Sequence, residues 1–501
     1  MDSNNNNFQI SFPLALLLGI SIVFILSTRR FKANRQQDVR VVPPCSTMGM
    51  LEFVRTMASP QAPFTLLEHV RSLPISRSIL EFAFPIPGLP MLVVVGDAQV
   101  ARQIWQDPDS KRATILLKSL EASMGGPNML TTNGRFWKHR RQGVNPAFAS
   151  KNIQRMQRVA HDKVEEWISN TIQAEQQTVT LDIAQFMLHL MLSIVSETAF
   201  EYCMSENQRT TFLRNNYLQI EEFFTKSLTN PLRMGLMWCL PERQKAWKAS
   251  TDNLDICRTI VHAYKSKPES ERTKGTMLEC LVNNPCYKTE QELLADVLLL
   301  LASSHDTTAF TTAFVLIELA KEMDFQCQLR HELLNIRKKH EEQGHSTPVP
   351  WSESLLLQYA IKEAMRLYPA FAIGAGSRVV GNDVFFSAEH GAEKSKRIMI
   401  PKGSLAITSI LMMHRDARLF QNPDQFQPLR WKDATEAQRR AIVPYALGAQ
   451  NCVGQALANA VLPIIAGELV CDHEISLVQE GTVVFAGSIK PVGSKLCLRR
   501  L

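Results

Sequence analysis

One cysteine, Cys452, lies where the surrounding residues favour chemistry at its sulfur. Gly448 precedes it and Gly454 follows it, and glycines on both sides allow tight turns and the close approach of a flat ligand. The apolar residues from Val453 to Gly467 predict a helix that begins near Cys452, and a helix N-terminus stabilises a thiolate. Such a thiolate is a strong axial ligand for heme iron, although a lone cysteine is more often a buried structural residue.

A second group with possible chemistry lies in the middle of a long apolar segment. The residues Thr289-Glu-Gln-Glu292 form a capping-box pattern. Leu293–Met323, which follows, contains neither proline nor glycine and predicts a helix of about 50 Å. Polar residues inside an apolar helix cost free energy unless they are paired, so Asp306 and Thr307 indicate function. They could deliver protons to a buried oxygen ligand; alternatively, the hydroxyl groups of this turn bond to carbonyl groups of their own helix.

In two further pairs of residues, the spacing places both side chains on the same face of a helix. Trp137 and Arg141 are four residues apart and could stack on and pair with a flat acidic ligand, or form part of a solvated basic helix. Glu363 and Arg366 are three apart in a helix that Pro369 is expected to end. An isolated pair of this kind is usually a surface ion pair.

The elements that would position these residues are mostly helical. Met91–Gly96 predicts a buried strand, and Asp97–Trp105 predicts a helix capped by its aspartate. Ile115–Asn133, which contains Gly-Gly-Pro, predicts a loop. Residues 150 to 270 predict long amphipathic helices.

Length and composition exclude several classes of protein. The chain has 501 residues without a linker-like stretch or an internal repeat, so one large domain is expected. Its ten cysteines show no CxxC pair, which disfavours a zinc site or a disulfide framework and suits a reducing compartment. The net charge of +7 is mild, and no basic and aromatic stripe indicates nucleic-acid binding.

The N-terminus predicts a membrane anchor. Phe8–Thr28 carries no charge and, as a helix, spans roughly 31 Å, about one bilayer core. Arg29, Arg30, Lys32 and Arg35 follow, so the positive-inside rule places the rest of the chain in the cytosol. A cleaved signal peptide is disfavoured because no small-residue cleavage site follows. We therefore expect an anchor with a short lumenal end at 1–30, a basic, proline-containing linker at 31–45 and a catalytic domain at 46–501.

The cysteine stretch resembles the heme-binding loop of the cytochrome P450 superfamily, whose pattern is Phe-x-x-Gly-x-Arg-x-Cys-x-Gly. Gly448, Cys452 and Gly454 match this pattern, and Tyr445 replaces the phenylalanine. Gln450 replaces the arginine that bonds a heme propionate in the family. The resemblance therefore implies that heme is held less tightly here than in typical relatives.

Other family motifs follow in the expected order over about residues 90 to 500. Asp306 and Thr307 match the acid and alcohol of the family's central helix, while Ser303 and Ser304 replace its small pair and make the usual kink uncertain. The family also has a Trp-x-x-x-Arg helix, a Glu-x-x-Arg helix and a meander before the cysteine loop. The resemblance implies that Arg430 completes a buried network with Glu363 and Arg366. It also implies that four residues contact the heme propionates: Trp137, Arg141, Arg378 and His414.

The resemblance implies a mainly α fold with a small β-rich side and an N-terminal transmembrane anchor in the endoplasmic reticulum membrane. It implies a heme b monooxygenase that inserts one oxygen atom from dioxygen into a fatty acid, sterol or terpenoid. The chain has no flavin or nicotinamide motif, so electrons would come from NADPH through an NADPH-cytochrome reductase or a similar donor. A docking patch is expected at Lys138, His139, Arg140 and Arg141. A dioxygen-independent isomerase or dehydratase of the same fold, and a non-catalytic heme-binding relative, remain alternatives.

Overall fold

The computed structural model describes residues 40–41, 50–72, 79–82, 90–171, 178–226, 233, 239–344, 347–374, 376–387 and 397–501. The predicted anchor at 1–30 lies outside these residues, as does most of the predicted linker at 31–45. The described α-helices, in chain order, are α1 Met50–Met57, α2 Ala62–Ser72, α3 Ala98–Gln106, α4 Lys118–Ser123, α5 Gly134–Val144, α6 Ser150–Thr171, α7 Ile183–Phe200, α8 Glu206–Gln219, α9 Pro241–Ser266, α10 Met277–Val282, α11 Glu290–Lys321, α12 Met323–Glu342, α13 Leu355–Leu367, α14 Ile410–His414, α15 Glu436–Ala441 and α16 Gln455–Asp472.

Short strands form small sheets beside this helical body. The described strands are β1 Arg40–Val41, β2 Ile79–Phe82, β3 Leu92–Val95, β4 Lys111–Arg112, β5 Thr178–Asp182, β6 Arg378–Val379, β7 Val384–Ser387, β8 Arg397–Ile400, β9 Leu405–Thr408, β10 His473–Gln479, β11 Thr482–Ala486, β12 Ser488–Val492 and β13 Lys495–Arg500. The largest sheet has the order β2-β3-β9-β6-β4, and the others are β1-β8-β7, β10-β13-β5 and the hairpin β11-β12. The mainly α fold with a small β-rich side is therefore confirmed.

Local capping chemistry explains the element boundaries that the sequence predicted best. The Asp97 carboxylate accepts hydrogen bonds from the N–H groups of Gln99 and Val100, at 3.0 and 3.1 Å, and caps α3. Thr289 caps α11 by accepting from the N–H of Glu292 at 3.2 Å. The Glu292 carboxylate accepts from the N–H of Lys288 instead of closing the predicted capping box.

The core is built around α11. It packs against α7, α13 and α16, and most of its residues are buried on every side of the helix. Three described helices, α7, α11 and α16, are long and apolar enough to cross a membrane, but 72 to 83% of each relevant stretch is buried inside the protein. Their apolar composition is thus explained by burial in the domain core.

One sequence prediction about elements was wrong, and another was incomplete. Ile115–Asn133 is not a loop throughout, because a 3-10 turn at Thr114–Leu117 and the helix α4 occupy its first half. Residues 150 to 270 are not helical throughout, because β5 lies among them and pairs with β13 from the C-terminus. Because β5 pairs with a strand more than 300 residues away, the sequence around β5 gives no local indication of that pairing.

Candidate active site

The cysteine loop, residues 444–454, is fixed by contacts that only a glycine at position 448 allows. Gly448 has a φ of +80°, and a Cβ placed on it would lie 2.2 Å from the carbonyl oxygen of Trp105. The N–H of Cys452 donates to the carbonyl oxygen of Tyr445 at 3.0 Å. A left-handed backbone and close approach to α3 both require the absence of a side chain. The matched glycine of the motif is therefore explained by its geometry.

Cys452 lies three residues before Gln455, the first residue of α16, so the helix begins near the cysteine as the sequence predicted. Its side chain is exposed, yet burial by surrounding protein raises the pKa of the thiol, while the N–H groups of Gly454 and Gln455 and the charge of Arg141 lower it. The thiol is thus accessible to solvent although protein atoms crowd around it. A Cβ on Gly454 would meet only the Cys452 sulfur, at 3.9 Å, so this side of the thiol is open to a flat ligand.

Arg141 is attached to the cysteine loop through Asn451. Its Nη1 donates to the Asn451 carbonyl oxygen at 2.7 Å and its Nη2 to the Asn451 Oδ1 at 3.0 Å. Its Nε donates to Asn145 at 3.0 Å, so all three nitrogens are engaged. Trp137, one turn earlier on α5, is half-buried and packs against the main core. Of the predicted pair, Arg141 therefore contacts the cysteine loop directly.

Arg378 and Arg112 add two further cations beside Arg141. They are cross-strand partners in β6 and β4, and Arg378 is buried. Desolvation lowers the pKa of Arg378 to about 10. Desolvation and the charges of Arg378 and Arg141 lower the pKa of Arg112 to about 9. Among the described residues none of the three forms an ion pair with a carboxylate, and clustered cations without an acidic partner fit an anionic ligand.

His414 is not part of this cluster of cations. The N–H of Val443 donates to its Nε2 at 2.8 Å, so Nδ1 carries the proton and donates to the Met365 carbonyl oxygen at 3.2 Å. Burial lowers the pKa of His414 to about 3. With both nitrogens engaged and no charge, the side chain links α13 to the segment before the cysteine loop and offers nothing to an anion.

Gln450 also points to protein rather than to an open cavity. Its Nε2 donates to the Oδ1 of Asn133 at 3.0 Å. The same Oδ1 accepts from the N–H of Arg112 at 3.2 Å, and the Asn133 Nδ2 donates to the Arg112 carbonyl oxygen at 3.0 Å. The glutamine is thus connected to Arg112 through one asparagine.

The structure forms a buried network at Glu363, Arg366 and Arg430. Glu363 and Arg366 are both 0% exposed, and their two hydrogen bonds measure 2.7 and 2.9 Å. Arg430 donates from its Nε to the Glu363 Oε1 at 3.0 Å. Arg366 also donates to the carbonyl oxygens of His414, Pro423 and Gln425. The network therefore joins α13 to the meander that precedes the cysteine loop.

Asp306 and Thr307 lie on α11, and their side chains have different partners. The Asp306 Oδ2 accepts from the Ser488 hydroxyl at 2.5 Å, and its Oδ1 lies 4.0 Å from the Lys490 Nζ, both in β12. The half-buried Thr307 hydroxyl donates to the Ser303 carbonyl oxygen at 3.2 Å. Ser304 bonds in the same way to Leu300 at 2.5 Å, so the hydroxyl groups do bond to their own helix. Helix α11 is continuous through Ser303 and Ser304.

Arg140 corrects the predicted docking patch. It is 1% exposed and pairs with Asp296 at 3.0 Å in the interior, so it cannot face a partner protein. Lys138 and His139 are exposed. Helical periodicity explains the difference, because four consecutive residues cannot all lie on one face of a helix.

Sequence reasoning missed Arg112, Asn133 and Ser488. Each acts through a partner far away in the chain: Arg378, Gln450 and Asp306 respectively. A basic residue in a two-residue strand carries no motif that would distinguish it. Only the register of β4 against β6 could have indicated Arg112, and that register is not readable from so short a segment.

Comparisons with known proteins agree with this geometry. A family model described as Cytochrome P450 matches residues 87–485. Cytochrome P450 4d8 of Drosophila melanogaster is 23% identical over 414 residues, which cover 77% of this chain and 86% of that protein. Cytochrome P450 4A12 of Rattus norvegicus is 22% identical over 361 residues, 68% of this chain and 67% of that protein. The mitochondrial cholesterol side-chain cleavage enzyme of Hypanus americanus is 23% identical over 355 residues, which cover 66% of this chain and 64% of that protein. The chain belongs to the cytochrome P450 family.

Proposed function

We propose that this protein is a heme-thiolate monooxygenase that inserts one atom of dioxygen into a lipophilic substrate. The observation that carries the proposal is the accessible Cys452 thiol, at the N-terminus of α16, beside arginines that have no carboxylate partner among the described residues. A protein holds heme b by a ligand to the iron and by cations that pair with its carboxylates, and a cysteine thiolate is the iron ligand of the heme-thiolate class. The family membership supports the same reaction class.

Each site residue has a defined part in this proposal. Cys452 would supply the thiolate to the iron, and Gly454 leaves the space beside the sulfur open to a flat ligand. Arg141 braces the cysteine loop, and Gly448 sets that loop against α3. Arg378 offers N–H groups to a carboxylate, and Trp137 packs against the core one turn before Arg141. Gln450 and His414 act indirectly, through Asn133 and Val443. Heme, when bound, supplies the iron at which dioxygen is activated for insertion into a C–H bond.

Thr307 and Asp306 are proposed to manage protons at this site. The Thr307 hydroxyl donates to the Ser303 carbonyl oxygen and keeps two lone pairs, so it can accept a hydrogen bond from a ligand or a water molecule. Asp306, one residue earlier, is held by Ser488 and lies near Lys490.

Replacing Thr307 with alanine is expected to separate reductant consumption from product formation. Positioned proton-transfer groups contribute about 10²–10⁴-fold to catalysis, so we expect product formed per NADPH consumed to fall by roughly tenfold or more, with hydrogen peroxide released instead. Thr307→Ser, which keeps the hydroxyl, is the matched control and should stay close to the parent protein. Unchanged product yield in Thr307→Ala would contradict the proton role.

The proposed reaction is tested by its requirement for reductant and dioxygen. The full chain in membranes would be supplied with NADPH, an NADPH-cytochrome reductase and ¹⁸O₂, and screened against fatty acids, sterols and terpenoids. A sterol is included because one relative is named for the cleavage of the cholesterol side chain. We expect a product that carries one labelled oxygen atom. Turnover of a lipid without reductant and dioxygen would favour the isomerase or dehydratase alternative.

The electron donor and the membrane location are further parts of this proposal. The chain shows no flavin or nicotinamide motif, so electrons must arrive from a partner, and the exposed Lys138 and His139 remain candidate contacts for an acidic reductase surface. We place the catalytic domain on the cytosolic face of the endoplasmic reticulum, anchored by residues 1–30. Deleting these residues should release most of the protein from membranes while its heme spectrum is retained. Loss of the heme spectrum in the deletion variant would contradict a separate anchor.

A further inference from the structure

A carboxylate near the end of α16 lies inside the protein and contacts three other segments. Glu468 is 4% exposed, and its Oε1 accepts a hydrogen bond from the indole N–H of Trp351 at 2.6 Å. The same Oε1 lies 3.0 Å from the Nε2 of His161 on α6. Arg337 of α12 approaches the other oxygen at 3.6 Å. A buried carboxylate depends on such partners, because burying a charge without them is strongly unfavourable.

The segments that meet at Glu468 are closely packed. A Cβ on Gly467 would lie 2.6 Å from the Trp351 ring, so the glycine allows the indole to lie against α16. The Arg337 guanidinium lies 5.3 Å from the centroid of the Trp351 ring and donates two hydrogen bonds to Asp472, at 2.5 and 2.9 Å. The side chains of α12, of the 3-10 turn Trp351–Glu353 and of α16 thus form one connected group, and α6 joins it through His161.

His161 is surrounded mainly by acidic groups. Its side chain is 15% exposed and lies near Glu468 and, on its own helix, near Asp162 at 4.0 Å and Glu165 at 3.8 Å. The hydrogen bond to Glu468 raises the pKa of His161 above its ordinary value of 6.5, although burial acts in the opposite direction. Burial raises the pKa of the nearby Cys471 thiol to about 11, so this thiol is uncharged near neutral pH. Further charged groups on the packed elements lie beyond this contact: Arg337 and Asp472 beside Glu468, and the separate ion pair of Lys163 with Glu197 on α7.

We propose that His161 and Glu468 form a pH-responsive joint that fastens α6 to the far half of the helix that follows Cys452. Protonated His161 brings a positive charge and an N–H to the buried carboxylate, whereas the neutral imidazole can still donate from Nε2 but lacks the charge. Because the pKa of His161 is higher in the folded chain than in the unfolded chain, the stabilisation is fully present below about pH 6.5 and is lost as the pH rises through the folded pKa.

The test compares the thermal midpoint of the full-length protein with that of His161→Gln, at pH 6.0 and pH 8.5 and at one heating rate. Glutamine keeps a donor and an acceptor but cannot be protonated. We expect the variant to unfold roughly 2 °C or more below the parent protein at pH 6.0, and we expect this difference to shrink at least about twofold at pH 8.5. The other titrating groups are common to both proteins, so their contributions cancel in the comparison.

His262→Gln is the matched control. The His262 Nε2 lies 3.1 Å from the Glu290 Oε1, so the pair is of the same type, but its side chains are 63% and 45% exposed. Exposed ion pairs contribute little to stability, and this variant should stay within about 1 °C of the parent protein at both pH values. A midpoint that falls as far in His262→Gln as in His161→Gln would show that the buried contact with Glu468 has no special part.

Glu468→Gln separates the charge of the joint from its shape. Glutamine at position 468 still offers an oxygen to the Trp351 indole, but it removes the negative charge. In that background His161→Gln should change the midpoint by nearly the same amount at both pH values, because no buried carboxylate favours the protonated imidazole.

Two results in the otherwise native chain would overturn the inference. One is an unchanged midpoint of His161→Gln at pH 6.0. The other is a loss of equal size at pH 6.0 and pH 8.5, which would mean that His161 contributes by its shape alone. If Glu468→Gln does not accumulate as folded protein, the comparison of His161→Gln with the parent protein at the two pH values still decides the question.

Discussion

Glu363→Ala is expected to prevent folded protein from accumulating. Glu363 is fully buried and accepts hydrogen bonds from Arg366 and Arg430, so its removal leaves two guanidinium groups without their carboxylate. Breaking a buried ion pair by removing one partner costs about 3–5 kcal/mol. Because a folded domain is stable by only about 5–15 kcal/mol, this is a large share of the free energy of unfolding. The yield of soluble or membrane-extracted holoprotein and its thermal midpoint would measure the effect.

The chain supplies a matched control for this substitution. Glu436 pairs with Arg440 at 2.7 Å, one turn apart on α15, and both side chains are about 70% exposed. Exposed helix pairs of this kind contribute about 0.3–0.5 kcal/mol. Glu436→Ala should therefore leave yield and thermal midpoint nearly unchanged. A Glu363→Ala protein that unfolds at the same temperature as Glu436→Ala would contradict the structural role of the network.

The parts of the fold that the sequence predicted well have local causes. Asp97 caps α3 and Thr289 caps α11 because a side-chain oxygen bonds an N–H two or three residues later. α13 ends at Leu367, two residues before Pro369. The strand β3, Leu92–Val95, is a short apolar run. In each case the information lies within a few residues of the boundary.

The site itself was predictable only in part. The spacing of Glu363 and Arg366 places them on one helix face, and the Gly448–Gly454 pattern marks the cysteine loop. Neither the burial of Arg140 nor the links from Gln450 to Asn133 and from Asp306 to Ser488 has such a signal. These contacts join segments between 182 and 317 residues apart, so they follow from how the helices and strands pack.

His414 illustrates a different limit. The family resemblance implies that His414 contacts a heme propionate, but the protonation of His414 is decided by burial and by two backbone groups, the N–H of Val443 and the carbonyl group of Met365. Those partners become adjacent only in the folded chain. The sequence could place the residue near the cysteine loop but could not determine what its two nitrogens bind.

Cys452→Ser is expected to abolish monooxygenase turnover. Serine keeps nearly the same shape but cannot supply a thiolate, which donates electron density to the iron. Cys327→Ser is the matched control, because Cys327 is also exposed but lies on α12, outside the candidate site. We expect Cys327→Ser to retain full turnover. Turnover by Cys452→Ser that approaches that of the control would remove Cys452 from the mechanism.

The most direct test of heme-thiolate ligation by Cys452 is the difference spectrum of the purified, reduced full-length protein on addition of carbon monoxide. We expect the long-wavelength Soret band that is typical of thiolate-ligated heme in this family to be present in the parent protein and in Cys327→Ser and absent in Cys452→Ser. A parent protein that shows the shorter-wavelength band of histidine-ligated heme, or a Cys452→Ser protein that keeps the long-wavelength band, would contradict it.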